Sequence, residues 1–152
     1  MITDEVKRSI DASVLCWLAT VDYDGIPNVS PKEVFTYEDD ETLLIGNIAS
    51  PGSVKNIRKN PRVCVSFINI FIQKGFKLKG KASIITKKHR DFKVKEAMLH
   101  PIAGDEFPMA SIILIKINNV QPIVAPRYHL FPGTTEARQI ASAMAVYQVQ
   151  PK

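Results

Sequence analysis

VLCWLATVDYDGIPNVSPKEVFTY, residues 14–37, holds two apolar arms around an Asp-Tyr-Asp-Gly turn. Residues 14–21 are nearly all apolar and partly β-branched, which suits a strand covered on both faces. Asp22-Tyr23-Asp24-Gly25 supplies the Asp-Gly signal of a tight hairpin, and residues 26–37 resume as the second arm. A turn this short permits only antiparallel pairing, so a doubly wound parallel sheet, whose crossovers need a dozen residues or more, is the less favoured arrangement.

Outward from the hairpin the strand pattern continues. Glu38 to Glu41 is a polar turn, and residues 42–48 form the third strand of a meander. Residues 50–60 read as a short helix closed by Pro61. Residues 62–72 are strongly β-prone, and residues 75–85 set Phe76 and Leu78 against Lys77, Lys79 and Lys81, a period of two with lysines outward. A helix from Thr86 through Leu99, a buried strand over 109–117, and a tail helix from about Thr135 with Ala137, Ile140, Ala141 and Met144 on one face complete the order. At the amino end Thr3 caps a helix over 4–11, with Asp4 and Glu5 in its positive first turn and Val6 and Ile10 on one side, a lid or bracket rather than a core element. Six strands with mostly antiparallel neighbours predict a mainly β (α+β) domain, a small closed or half-open barrel with flanking helices.

The 152 residues suffice for one domain, its barrel over about 12–120 and an extension with a helix over 121–152. With 45% hydrophobic and 23% charged residues and no apolar run of the roughly 18 residues a membrane span requires, no membrane crossing is expected. The first residues carry acids early and no apolar h-region, so they do not read as a secretory signal, and the cytoplasm is the expected compartment. Cys16 and Cys64 lie in strand-like runs and read as reduced core residues. His89, His100 and His129 lack metal-ligand spacing, so no metal is expected. The net charge of +5 is concentrated in residues 74–95, where eight lysines and Arg90 face Asp91 alone. That stretch is a solvated lysine face or an anion-attracting surface. Nucleic acid is disfavoured, because Phe76 is the one aromatic between Lys74 and Lys88 and single-strand binders present several stacking rings.

Chemistry concentrates where the third strand meets the short helix, at Gly46-Asn47-Ile48-Ala49-Ser50-Pro51-Gly52-Ser53. Ser50 fits an N-cap and Pro51 the first turn, where its missing N–H costs nothing. The amides of Gly52, Ser53 and Val54 then lack helical partners, Ser50 and Ser53 add hydroxyls, Gly52 lets an anion approach, and Lys55 and Arg58 raise the local potential. No acid complements the dipole in this turn. These residues fit a plainly capped helix as well as an anion site. The neighbouring arm weights the second: it places Asn28, Ser30 and Lys32 on one face beside the third strand, and Pro31 marks an edge or bulge where backbone groups are free.

LATVDYDGIPNVSPKEV, GNIASPGSVKNIRKNPRVCVSF and GFKLKGKASI, in this order and spacing, resemble the pyridoxamine 5′-phosphate oxidase-like family of FMN-binding split barrels. The resemblance spans about residues 12–86, with 109–117 as a last barrel strand. It implies a six-stranded antiparallel Greek-key split β-barrel that forms a homodimer with FMN in a groove between subunits. It assigns Ser30, Pro31 and Lys32 to the flavin ring, Gly46 and Asn47 to the ring or ribityl chain, and Ser50, Gly52, Ser53, Val54 and Lys55 to the phosphate. Lys32 is the cation placed to stabilise a reduced flavin at its pyrimidine edge. Asn56 is a further candidate donor to the phosphate. The chain departs from the oxidases themselves at Pro27, where they carry arginine, at Ser53, where a basic residue is common, and at Gly75 to Gly80, which keeps a basic residue at Lys77 but lacks the glutamine. These departures favour FMN binding over pyridoxamine phosphate as substrate.

Three functions follow as expectations. The first is an FMN oxidoreductase passing electrons from a reduced donor to a small acceptor, with no protein acid or base required. The second is a non-catalytic FMN carrier or sensor. The third is a basic module for nucleic acid or another polyanion.

Overall fold

The computed structural model describes residues 1–152 and contains one seven-stranded antiparallel sheet curled into a half-barrel with flanking helices. Along the chain run α1 (Asp4–Asp11), β1 (Cys16–Val21), β2 (Pro27–Lys32), β3 (Phe35–Tyr37), β4 (Thr42–Asn47), α2 (Pro51–Lys59), β5 (Arg62–Asn69), β6 (Lys74–Thr86), α3 (Phe92–Ala103), β7 (Ser111–Val124), α4 (Arg127–Leu130) and α5 (Glu136–Tyr147). The sheet order is β2-β1-β5-β6-β7-β4-β3. No helix is long and apolar enough to cross a membrane.

The hairpin forms as its turn residues dictate. Asp22 Oδ1 accepts from the amides of Asp24 (2.9 Å) and Ile26 (2.8 Å), and Gly25 takes φ +83°. The expected second arm, however, is two strands rather than one, which raises the count from six to seven. β2 pairs with β1, Cys16 opposite Lys32 and Leu18 opposite Ser30, whereas β3 pairs with β4. Between them the chain turns at Glu33 and Val34, where the Val34 carbonyl accepts from the Gly46 amide (2.8 Å). The two strands thus end at opposite edges of the sheet, and β2 is not hydrogen-bonded to β4 as the sequence suggested. Pro27 and Pro31 are tolerated because β2 is an edge.

Two apolar clusters hold the fold. The larger fills the concave side with Leu18, Leu43, Ile45, Val65, Phe67, Leu78 and Ile113. Ile2, Val6 and Ile10 belong to it, so α1 plugs the barrel instead of bracketing it. Its cap is the expected one, Thr3 Oγ1 accepting from the Val6 amide (3.4 Å). The smaller cluster lies on the opposite side, where Phe92, Leu99 and Ala103 of α3 pack on Leu44, Ile85 and Ile112. β4 is therefore the strand covered on both faces. β1 is not: Cys16, Leu18 and Thr20 are buried, but Trp17 stands on an outer face that no other element of the chain covers.

β6 and β7 outrun their expected ends. β7 continues past Ile117 because a bulge at Asn118 absorbs the polar pair Asn118-Asn119 and pairing resumes at Asn119 opposite Lys79. Gly80 sits at this bend, where a Cβ would come within 2.1 Å of the Lys116 carbonyl oxygen. α3 begins at Phe92 rather than Thr86, since β6 pairs through Thr86, and it carries Pro101 in its last turn before stopping at Gly104 (φ +71°). In α5 the buried residues are Gln139 and Ala143 rather than the expected stripe, of which Ile140 and Met144 are half-buried and Ala137 and Ala141 exposed. α5 is tied to the β5–β6 turn by Lys74–Glu136 (2.8 Å) and by an edge contact of Phe71 with Tyr147.

The cysteines are free, Cys16 in the core and Cys64 half-buried on the outer face. The lysine-rich stretch is mostly exposed, with the exception of Lys95, which is buried and donates to Glu38 Oε1 (2.5 Å).

Candidate functional site

α2 lies across the rim of the half-barrel and is fastened to the β1–β2 edge by three side-chain bonds. Lys32 Nζ donates to Ser50 Oγ (2.5 Å), the hydroxyls of Ser30 and Ser53 meet at 3.1 Å, and Asn56 Nδ2 donates to Thr20 Oγ1 (3.0 Å). The spacing explains the fit. Positions 50, 53 and 56 recur once per helical turn, while Thr20, Ser30 and Lys32 lie on the inner face of the paired strands. Ser53 is 2% exposed, so its hydroxyl belongs to this seam and not to the solvent side of the helix, and Asn56 is committed likewise.

The start of α2 is capped from outside. Ser50 makes no side-chain cap. Instead its amide donates to Asn47 Oδ1 (3.0 Å), and Asn47 Nδ2 donates to Ser111 Oγ (2.9 Å), which joins β4, α2 and β7 at one buried residue. The Val54 amide is not free as expected, since it closes the first helical bond to the Ser50 carbonyl (3.3 Å). Gly52 and Ser53 have no backbone acceptor, Gly52 is exposed, and a Cβ on it would meet nothing within 4 Å. The first turn holds no acid, and Arg58 and Lys59 lie in the last.

Two clefts flank this corner. One, of about 350 Å³, is lined by Asn47, Pro51, Val54, Lys55, Arg58 and Lys59, three of them basic. The other, of about 340 Å³, lies between the β2–β3 corner and the end of α3, with Pro31, Lys32, Gly46 and Ser50 along one wall. The expected residues are divided between the two: Pro31, Lys32, Gly46 and Ser50 on one side, Asn47, Val54 and Lys55 on the other, Gly52 exposed at the helix start, and Ser30 and Ser53 in the seam behind. The sequence did not single out Val34, nor Ile102, Ala103 and Phe107, which line the second cleft from far along the chain. Gly46 carries its own packing reason, because a Cβ there would approach Val34 Cγ1 to 2.9 Å and Met109 Sδ to 3.0 Å.

Lys32 is 6% exposed. Burial pushes its ammonium below the ordinary lysine value, although the neighbouring Cys16 sulfur pulls the other way. Burial pushes the Cys16 thiol up to about 12, so it stays protonated and unreactive. Lys32 is thus a buried cation whose one hydrogen-bond partner is a neutral hydroxyl, while Lys55, Arg58 and Lys59 border the other cleft.

Residues 2–123 match the family model described as pyridoxamine 5′-phosphate oxidase. The chain belongs to that family. Among solved structures it is similar to HupZ of Group A Streptococcus, with 24% identity and a TM-score of 0.72 over 82% of this chain and 96% of that one. It is likewise similar to an FMN-binding protein from Syntrophomonas wolfei subsp. wolfei, with 16% identity, TM-score 0.68, and 78% and 84% of the two chains covered. General Stress Protein 26 of Bacillus anthracis str. Sterne matches with 20% identity and a TM-score of 0.60 over 79% and 92% of the chains. Among curated proteins no match was found. At these identities the likeness establishes the half-barrel fold of the family.

Proposed function

We propose that the protein is a homodimeric FMN flavoprotein that passes electrons from a reduced donor to a small acceptor. The observation that carries this reading is the meeting of two unlike clefts at the Asn47–Pro51 corner: open amides with Lys55, Arg58 and Lys59 on one side, buried Lys32 on the other. A flavin mononucleotide presents that same polarity, a dianionic phosphate at one end and an electron-accepting ring at the other.

The residues fit the group. Gly52 leaves its amide approachable, the missing first-turn acid leaves the dipole uncompensated, and Lys55 and Arg58 add charge. Pro31, Lys32 and Gly46 would hold the ring. Lys32 supplies positive potential at a fixed point, held by Ser50, and its burial removes the water that would screen it. When bound, the flavin supplies the two-electron chemistry itself. The chain's part is to bind, orient and bias, and no side chain need donate a proton.

The outer face of the sheet supports the dimer. Val14 (81% exposed), Trp17 (47%), Val29, Ile68 and Ile70 are left in water, and a cleft of about 460 Å³ lined by Leu15, Trp17 and Phe71 runs among them. Such a contiguous apolar patch marks an interaction surface. The experiment is a visible spectrum of the protein saturated with FMN and then desalted, followed by addition of a reduced nicotinamide. Retained flavin absorbance that bleaches faster than free FMN supports the oxidoreductase, retained absorbance without acceleration reduces it to a carrier, and a colourless protein overturns the reading.

A further inference from the structure

We propose that the outer face of β5, β6 and β7 docks the phosphodiester backbone of a nucleic-acid duplex, a function separate from the flavin site. The alternation in β6 points its lysines outward, and the sheet register decides what stands on either side of them.

Lys81 lies between Arg62 and Lys116. Lys79 lies between Cys64 and Asn119, and Lys77 between Ser66 and Gln121. These side chains form a grid of three strands by three rows, roughly 10 Å by 13 Å at ordinary strand spacing and rise. It carries five cations, no acid and no large apolar side chain. Lys116 donates to Thr42 Oγ1 (2.5 Å) and has Asp39 at 3.8 Å, whereas Arg62, Lys77, Lys79 and Lys81 are in no ion pair. The row of Arg62, Lys81 and Lys116 sets like charges directly opposite one another across two strand pairs, which is destabilising. The same bias runs through the whole sheet: its seven charged residues are all basic, while every one of the chain's 15 acids lies in a helix or a loop. A merely solvated face gains by mixing signs, so a surface that keeps this repulsion points to an anion outside the chain.

The grid itself chooses among anions. β5, β6 and β7 are inner strands, hydrogen-bonded on both sides, so an acidic peptide finds no edge on which to add as a strand. Ser66 lies opposite Trp17, so the grid borders the apolar patch without containing its large side chains, and it has nothing to insert into a lipid surface. The lack of an aromatic ring tells against an unpaired strand but not against a duplex, whose bases stack within and whose charges all face outward. Ser66, Asn119 and Gln121 stand among the cations as neutral partners for phosphate oxygens. Phosphates follow one another about every 3.4 Å along each strand of a duplex, so a ladder of about 13 Å spans roughly four of them. Contacts of this kind read the backbone and not the bases, so the binding is independent of sequence.

Fluorescence anisotropy of labelled duplexes of about 20 base pairs, one DNA and one RNA, titrated with the full chain tests this. Binding is expected, the tighter of the two duplexes naming the source, and affinity is expected to fall about a hundredfold between roughly 50 and 200 mM salt, as about four neutralised phosphates require. The triple variant Lys77→Gln, Lys79→Gln, Lys81→Gln is expected to weaken binding at least about tenfold at the lower salt. The triple variant Lys87→Gln, Lys88→Gln, Lys93→Gln removes the same charge from exposed positions off the grid and is expected to weaken it less than about threefold. Thermal melts report that both variants are folded, and the first is expected to melt no lower than the natural chain, because it loses a like-charge pair. Equal weakening by the two variants, no binding at the lower salt, or displacement of the duplex by polyglutamate or by phosphatidylglycerol vesicles at equal charge would overturn the proposal. The outcome does not depend on flavin, and the same titrations decide it on coloured or colourless protein.

Discussion

Lys32, buried on the inner face of the edge strand, donates its ammonium to the hydroxyl of Ser50, the residue that opens α2. The bond fixes the charge but compensates its desolvation only in part, which is why burial lowers the lysine's pKa. Between the folded value and 10.5 the unfolded chain binds more protons than the folded one, so this group's cost is full below that window and is relieved as pH rises through it. Replacing Lys32 by methionine is expected to stabilise the flavin-free protein at neutral pH by about 1 kcal/mol, or roughly 2–4 °C in Tm, while weakening flavin binding. Thermal melts and flavin titrations of the same variant check both halves, and a loss of stability would show that Lys32 is a structural residue.

Gly52 offers a clean probe of the helix start because its Cβ position is open and its backbone φ is not left-handed. Gly52→Glu is expected to leave the unfolding free energy within about 0.5 kcal/mol of wild type and to weaken FMN binding at least about tenfold by repulsion of the phosphate. Quenching of flavin fluorescence on binding measures it. Ser53 would be a poor choice for the same purpose, since it is buried against Ser30 and a charged replacement would damage the seam.

Asn47 serves two partners at once, the Ser50 amide and the Ser111 hydroxyl, and is 5% exposed. Asn47→Ala leaves both without a replacement and is expected to cost about 2–3 kcal/mol in urea unfolding, with the m-value unchanged.

Trp17 stands half-exposed on the outer face between the β2 edge and β5. Trp17→Glu is expected to convert a dimer into monomers and to release flavin with it, read by light scattering coupled to gel filtration. A wild-type protein that elutes as a monomer at tens of micromolar would remove the interface from the account.

The parts of this architecture that were legible beforehand are those written locally. The Asp22 to Gly25 turn, the alternation of Leu78 with Lys77 and Lys79, and the Ser50-Pro51 helix start each carry their own short-range chemistry. The split between β2 and β3 was hidden because Glu33 and Val34 do not break a strand pattern, and the break depends on a distant bond from the Gly46 amide to the Val34 carbonyl. α1 was undervalued because its two buried apolar residues, Val6 and Ile10, look modest until the core they join with Ile2 is known. For the site, the sequence brought Lys32 near Ser50 by setting β2 beside β4, a pairing the sheet does not make; the contact arises instead where the start of α2 meets the β1–β2 edge. The commitment of Ser53 and Asn56 to the seam required the register of helix against strand, and the place of Ile102 and Phe107 in the second cleft required the α3 packing that brings residues some seventy positions from Lys32 beside it.

The central claim is that the opening turn of α2, with Lys55 and Arg58, grips the terminal phosphate of a flavin. Parallel equilibrium titrations with FMN and riboflavin test it most directly, because the two ligands differ only in that group. The account predicts that FMN binds at least about a hundredfold more tightly, with the difference shrinking as salt rises. Equal affinity for the two, or no binding of either, would contradict it.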